Sequence, residues 1–589
     1  MHGSQKTITQ FVLIAAGILL FLYFNIFIKP ALYYVAQEPI FFAKARFFQQ
    51  FLTWPGGLLE YVSALLSQFF YYPLLGASML AFIFVLIFFT LRQYIKNTLG
   101  VDPSVLTILP ITLLLLSHNN YEHAVVIDLV LLVSLFCAML YSSPERKSVR
   151  LLFLLFAGPL FYFVAGAAFL LFVIYAVVFE IMNKRDVLLV IPAMLMAMAL
   201  PFISGSGLFV IRLKHAFLQP AFPKTAITGL LLAVYLAPLL LVLLLFFLKR
   251  SKSTFFFSPK PLLWIGKTAL TLIVFFAVPL LMIEKPKRQF WQVTYHAQQE
   301  EWRAVLDVCR KEYPKNPQVI SLINRALCHT GALGDRMFAY NQDFGLGGLF
   351  VMQDAALSSP LIRSNLYFDV GHYNEAKHWA QEAVSVEGET CWNLQRLAEI
   401  YLIYNEKAAA AIYLNKLQKT IPLKKWARRY QKYVSKDTDI ADDPVLGPLL
   451  DNVISEDFLS FVHKPIPDLE KLVEVNPHNK FAFDYLLASL LLTKQLGQFV
   501  DVLHNYQWKN PLPRAFQEAL IFYVSQVPDK RALLGQFGIQ QETLQRFQAF
   551  QSAYRANRTN RRALETALSV NFSDTYWTFL LFHQQKSDA

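Results

Sequence analysis

Residues 8–28, 74–95, 104–117, 124–141, 151–181, 187–204, 227–248 and 261–283 are apolar runs, and residues 284–589 contain nothing comparable. This split constrains the fold more than any other feature. A helix needs about 20 apolar residues to cross a bilayer. In hydrocarbon the backbone must satisfy its own hydrogen bonds, so spans of this kind are helices. We therefore read residues 1–283 as a polytopic transmembrane domain and residues 284–589 as a water-facing domain. The averages agree: 55% of residues are apolar, 16% are charged and the mean hydropathy is +0.38, whereas a soluble chain is about a quarter charged. The run 151–181 is too long for one straight span and contains Gly158, Pro159 and Gly166. It reads as two short membrane helices or a broken hairpin, returning to its starting side, which brings the expected total to about nine crossings. The first run is too long for a signal peptide and lacks a small-residue cleavage site, so it reads as the first transmembrane helix.

Orientation follows the basic residues. Arg92 and Lys96, Arg146, Lys147 and Arg150, Lys184 and Arg185, and Lys249, Arg250 and Lys252 all fall on one side in this scheme. That side is expected to be cytoplasmic, with the N-terminus. Loops 29–73, 118–123 and 205–226 and the whole second half are then outside, although Lys44, Arg46, Arg212 and Lys214 lie there too. Loop 29–73 is aromatic and amphipathic. It predicts two helices in the membrane interface, separated by Trp54-Pro55-Gly56-Gly57 and carrying Glu38 and Glu60. The net charge of +13 is explained by topology. No nucleic-acid recognition motif accompanies it, so no nucleic-acid partner is expected. Cys137, Cys309, Cys328 and Cys391 form no CxxC and read as free thiols in preference to a zinc or disulfide framework.

From Trp302 onward, small and large apolar residues alternate over paired helical patterns. Examples are residues 300–338, 365–417 (with Gly371, Ala376, Ala380, Leu397, Tyr401 and Ala410) and 468–506. This is the degenerate pattern of a tetratricopeptide-like α-solenoid. The expected fold is thus all-α, a transmembrane bundle followed by helical repeats. Such arrays present a concave surface to a protein partner. The basic stretches 424–433 and 555–562 suit lipid headgroups, an acidic partner or plain solvation. The chain has no GxxxxGK[ST] and no GxSxG, so an ATPase or an α/β-hydrolase is not indicated.

The stretches WPGGLLEYVSALLSQFFYYPLLGA, SHNNYEH and NRALCHTGALGDRMF resemble a family of Bacteroidota inner-membrane proteins with a polytopic first half and a tetratricopeptide-like second half. The resemblance covers most of the chain. It implies a multi-pass location in a bacterial inner membrane with the repeats in the periplasm, and no chemistry. In layout the chain is also similar to the GT-C membrane glycosyltransferases, which use polyprenyl-phosphate sugars. They carry a carboxylate near the start of a long first outer loop and further acidic or metal-binding residues in a later one. Glu38 occupies the first place here, and Glu122 with His123 the second. The paired-acid motif of those enzymes is absent from both. This similarity implies a periplasm-facing transferase with a lipid-linked donor, whose repeats recruit a protein or glycan acceptor. The alternative is a non-catalytic scaffold anchored in the membrane, within a cell-envelope complex for protein export or outer-membrane biogenesis.

Between two apolar runs sit His118, Asn119, Asn120, Tyr121, Glu122 and His123, and Asp128 follows inside the next run. Run 104–117 covers only about 20 Å, so the hexapeptide is expected below the bilayer surface, where unpaired polar groups are costly. Three readings compete. In the first, Glu38 or Glu122 is a general base, with Asp128 as a further catalytic carboxylate. His118 and His123 bind a divalent metal or the lipid phosphate. Asn119, Asn120 and Tyr121 orient the substrate, and Arg212, Lys214 and His215 contact phosphate. In the second, the same cavity binds a lipid or peptide without reaction. In the third, the loop is a hydrogen-bonded turn and Asp128 pairs with Arg212 or His215.

Overall fold

The computed structural model describes residues 14–183, 186–223, 228–251, 261–310, 314–351, 359–435, 438–454, 464–505 and 511–583. Lys184, Arg185 and Lys252 of the charge argument, and residues 8–13 of the first apolar run, lie outside them. All the regular elements are helices, and no strand occurs among the described residues. The chain divides into two compact units, Met1–Lys285 with Lys419–Pro422, and Pro286–Gln418 with Leu423–Ala589.

The first unit contains α1 (Ile14–Ile28), α2 (Pro30–Gln37), α3 (Ala45–Gln50), α4 (Gly57–Ser67), α5 (Pro73–Leu99), α6 (Ile108–Ser117) and α7 (Val125–Ser142). After them come α8 (Lys147–Ala165), α9 (Ala168–Asn183), α10 (Val187–Leu208), α11 (Leu213–Leu218), α12 (Gly229–Arg250) and α13 (Pro261–Leu281). Helices α5, α7, α8, α10 and α12 are long and apolar enough to cross a membrane. The count becomes seven if two bent pairs, α1 with α2 and α13 with the helix after it, are each one span. This is the architecture of a membrane protein. Among the described residues α6 and α9 are shorter, at about 15 and 24 Å, and fall outside this count.

Local sequence sets these limits. Pro73 opens α5 at its first position and Gly100, in the left-handed region, ends it. The run 151–181 is broken at Gly166, whose φ is 55°, so α8 and α9 are separate helices. Loop 29–73 differs from the expectation of two interfacial helices. It holds three, and the first, α2, is buried from Pro30 to Val35. The reason is aromatic packing: Tyr33 stacks on Phe70 at 5.2 Å and Tyr34 meets Tyr71 at 5.3 Å. Helices α3 and α4 flank the Trp54–Gly57 turn, and Tyr61 gathers Phe41, Phe48 and Phe51 around it.

Three loops of this unit meet backbone to backbone. Gly56 N–H donates to Phe163 O at 2.9 Å, and Ala167 N–H donates to Gln219 O at 2.9 Å. A Cβ on Gly56 would lie 2.6 Å from Pro220 Cδ, and one on Gly166 would lie 2.5 Å from Gln219 O. Glycine is needed at both places for space as well as for positive φ.

Helix α7 packs against both α5 and α9. Near its C-terminal end an ionic cluster is buried. Arg150 donates from Nε to Glu180 Oε1 at 2.9 Å, from Nη2 to Asp186 Oδ2 at 2.5 Å, and from Nη1 to the carbonyls of Pro144 and Glu145. Tyr141, in the last turn of α7, donates to Glu180 Oε1 at 2.8 Å.

The second unit is built of packed helix pairs. They include α14 (Lys285–Gln298), α15 (Trp302–Cys309) with α16 (Pro317–His329), α17 (Pro360–Val370) with α18 (Tyr373–Glu387), and α19 (Cys391–Ile403) with α20 (Lys407–Leu417). Further along are α21 (Pro465–Val475) with α22 (Lys480–Leu492), α23 (Leu496–Asn505) with α24 (Arg514–Gln526), α25 (Gln541–Asn557) with α26 (Arg561–Asn571), and α27 (Tyr576–Phe582). Turn chemistry separates the helices: Gly371 at φ 90° ends α17, and a Thr390–Asn393 capping box starts α19. Ala376, Ala380 and Ala383 form a buried stripe on α18, where small side chains let α17 approach. Asp369 joins two elements by accepting from Arg325 Nε and His329 Nε2, each at 2.5 Å.

Candidate functional site

The polar hexapeptide folds as a tight cap on α6. Ser117 Oγ donates to Leu114 O, His123 N–H donates to Asn120 O at 2.9 Å, and Glu122 N–H meets Asn120 Oδ1 at 3.3 Å. Ala124 is extended and α7 then begins. This path returns the chain so that Asp128, in the first turn of α7, faces both histidines. Asp128 Oδ1 lies 3.2 Å from His118 Nε2 and 3.1 Å from His123 Nε2. The two rings are 4.1 Å apart. His118, His123 and Asp128 are 1%, 4% and 0% exposed. One ligand atom from each lies within 4.8 Å of the others, a grouping able to hold a metal ion.

A second layer fixes the first. Tyr33 Oη is 3.0 Å from His118 Nδ1 and also donates to the His118 carbonyl. Gln37 Nε2 donates to Tyr121 O at 2.9 Å and to His123 O at 2.8 Å. Asn119 donates from Nδ2 to Pro279 O at 2.7 Å and accepts from Tyr23 Oη at 3.2 Å. Phe24 and Phe84 close on the His118 ring at 5.3 and 5.4 Å, and Tyr121 lies 5.6 Å from Tyr33. Burying a carboxylate costs several kcal/mol unless it is paired. Here the partners come from one short loop.

The other candidate residues divide clearly. Asn119 and Tyr121 border the cluster and are held by the contacts above. Asn120 and Glu122 are exposed, and Glu122 is outside the ligand group. Glu38 is half-buried directly after α2 and adopts a left-handed conformation, φ 44° and ψ 49°. Arg212 and Lys214 are exposed at the start of α11, with His215 half-buried. The side-chain partners of Asp128 are His118 and His123. This replaces the expected pairing with Arg212 or His215, because the α6–α7 turn delivers its partners from ten and five residues away. Sequence reasoning missed Tyr33 and Gln37. Their i,i+4 spacing puts both on one face of α2, a signal readable only once α2 is known to be buried.

Fold and site together define a polytopic helical membrane protein with a sealed His-His-Asp cluster at one end of a central helix, joined in sequence to an α-helical second unit. The chain belongs to a family of unknown function, DUF6057, whose model matches residues 4–583. No curated protein and no solved structure matches it.

Proposed function

We propose that the protein is a periplasm-facing membrane transferase of GT-C type, with about nine crossings of a bacterial inner membrane and tetratricopeptide-like repeats outside. The observation that carries this reading is the tie between the first and second outer loops. Tyr33 and Gln37 of α2 grip His118, Tyr121 and His123, and the next residue is Glu38. Non-glycine residues in the left-handed region cost about 1–3 kcal/mol and concentrate at functional sites.

In this reading Glu38 accepts the proton of an acceptor hydroxyl. The acceptor oxygen bonds to the sugar C1 as the C1–O bond to polyprenyl phosphate breaks, and the phosphate leaves with the electron pair. Arg212, Lys214 and His215 offset its charge. Asn120 and Glu122, exposed beside the cluster, meet the sugar or acceptor, and the helix pairs of the second unit recruit the acceptor. Glu38→Gln is expected to abolish transfer from a polyprenyl-phosphate sugar to envelope glycans or glycoproteins while the protein accumulates normally. Unchanged glycans in that variant and in Glu122→Gln would overturn the reading.

A second reading, a membrane-anchored scaffold, draws on the helix pairs that build the second unit. It predicts a stoichiometric protein partner that is lost on deleting residues 290–589 and kept in Glu38→Gln.

A further inference from the structure

The hydrogen bonds around His118 do not close without a cation. Tyr33 Oη touches both His118 Nδ1 and the His118 carbonyl oxygen. A phenol has one proton, and a carbonyl oxygen only accepts. The Tyr33 proton therefore goes to the carbonyl, and Nδ1 must donate to Tyr33 Oη. A neutral imidazole carries one proton, so Nε2 is left bare. That lone pair faces Asp128 Oδ1 at 3.2 Å, with no water access to relieve it. His123 Nε2 faces the same oxygen at 3.1 Å. Asp128 Oδ2 is buried with no hydrogen-bond partner. The bare His118 nitrogen and the carboxylate thus face each other in a sealed volume, an arrangement that favours a cation between them.

We propose that His118 Nε2, His123 Nε2 and the Asp128 carboxylate are the ligands of a divalent transition-metal ion of the zinc class. A tetrahedral ion with bonds of about 2.0–2.1 Å has ligand atoms about 3.3–3.4 Å apart. The observed separations of 3.2 and 3.1 Å need only small adjustment. Two imidazoles and a carboxylate suit zinc better than magnesium or calcium, which prefer all-oxygen shells. Asp128 Oδ2, on the same carboxylate, is too close to Oδ1 to fill a second tetrahedral corner, so the chain supplies three ligands. Tyr33 plays the outer-layer part, fixing which nitrogen of His118 is free to ligate. Three protein ligands leave a fourth position for a water or a substrate atom, with Phe24 and Phe84 packed against the His118 ring. The ion also pins the loop 118–123 to the start of α7. In this role Asp128 is a ligand and not a catalytic carboxylate.

The competing cation is a proton, which would make His118 an imidazolium paired with Asp128. The full chain, purified in detergent and stripped with a chelator, would be titrated with Co²⁺ and then Zn²⁺, with metal content read by mass spectrometry. The expected result is one equivalent per chain, a tetrahedral Co²⁺ absorption band displaced by Zn²⁺, and a higher unfolding temperature in the loaded protein. Asp128→Asn and His123→Ala are expected to retain below about a tenth of an equivalent. Tyr33→Phe, which keeps every ligand and the ring packing, is expected to bind about 10–100-fold more weakly, and it serves if the ligand variants do not accumulate. A wild-type protein that binds neither ion, or an Asp128→Asn protein that still holds one equivalent, would overturn the proposal. The titration does not rest on the transferase reading, since Glu38→Gln is expected to bind metal as the wild type does.

Discussion

Helix α7 carries a buried ionic cluster at each end, and the two are built on opposite principles. At the Tyr141 end Arg150 brings a permanent positive charge. It donates to Glu180, Asp186 and two carbonyls, so this cluster supplies its own counter-charge. At the Asp128 end there is a carboxylate and two imidazoles, and neither imidazole is obliged to be charged. One cluster carries its own cation in Arg150. The other, on the metal-site proposal, takes its cation from a bound ion, which is what separates a site from a brace.

The largest expected effect tests the brace. Arg150→Met leaves Glu180 buried without its cation, which costs about 3–5 kcal/mol, and accumulation in membranes should fall sharply. Arg150→Met with Glu180→Leu should recover much of the loss, because removing both charges of a buried pair is far milder than removing one. A double variant as poor as the single would break the comparison.

The next effect is the difference in response to chelation. Stripping metal should lower the unfolding temperature of the wild type and leave that of His123→Ala unchanged. Losing a buried charged interaction of this kind is worth about 1–3 kcal/mol. Arg150→Lys, if it folds, should respond to the chelator as the wild type does, since its lesion lies at the other end of α7.

A third cluster, in the second unit, sharpens the contrast. Burial alone would raise the pKa of Asp369, but Arg325 and His329 outweigh it and hold the carboxyl well below its usual range. Its contribution to stability is therefore present above the unfolded value of about 3.9 and lost as pH falls through the folded value. Unfolding of the full chain followed downward from pH 5 should show stability begin to fall at about pH 3.9 and go on falling below it. Asp369→Asn should flatten the profile, because Arg325 then has no titrating partner.

The smallest effect belongs to an exposed pair. Arg561 and Glu565 sit 3.0 Å apart one turn along α26, 81% and 45% exposed, and Arg561→Ala should cost no more than about 0.5 kcal/mol. A larger cost would mean that charge pairs in this protein do not rank by burial.

Much of this was legible in the sequence. The all-helical class and the apolar first half followed from run length, and the break at Gly166 from its residue type. The histidines drew attention as polar groups where hydrocarbon was expected. What could not be read was depth. Loop 29–73 has the composition of an interfacial segment, and hydrophobic spacing does not say whether an aromatic helix lies on a membrane or inside a bundle. Nothing in the sequence therefore singled out Tyr33 and Gln37. Asp128 posed a similar problem: a helix start facing back along a preceding turn depends on the turn's path, which Asn120 sets by capping Glu122 and receiving His123. Arg150 was read as a topology charge and is instead fully buried.

The glycine junction has a consequence for synthesis. Gly56 emerges from the ribosome early, Gly166 about a hundred residues later and Pro220 later still. The seam they share cannot close until all three have been inserted. Asn119 likewise waits for Pro279, near the end of the last apolar helix of the unit. Until then α2 and the histidine loop are held only by early partners such as Phe24, Phe70 and Phe84. The early helices must therefore stay loosely associated while the rest arrive, and the site reaches its final form among the last events of insertion. A chain stopped at residue 200 should present a protease-sensitive Trp54–Gly57 turn, and one extended past residue 280 should present a protected one.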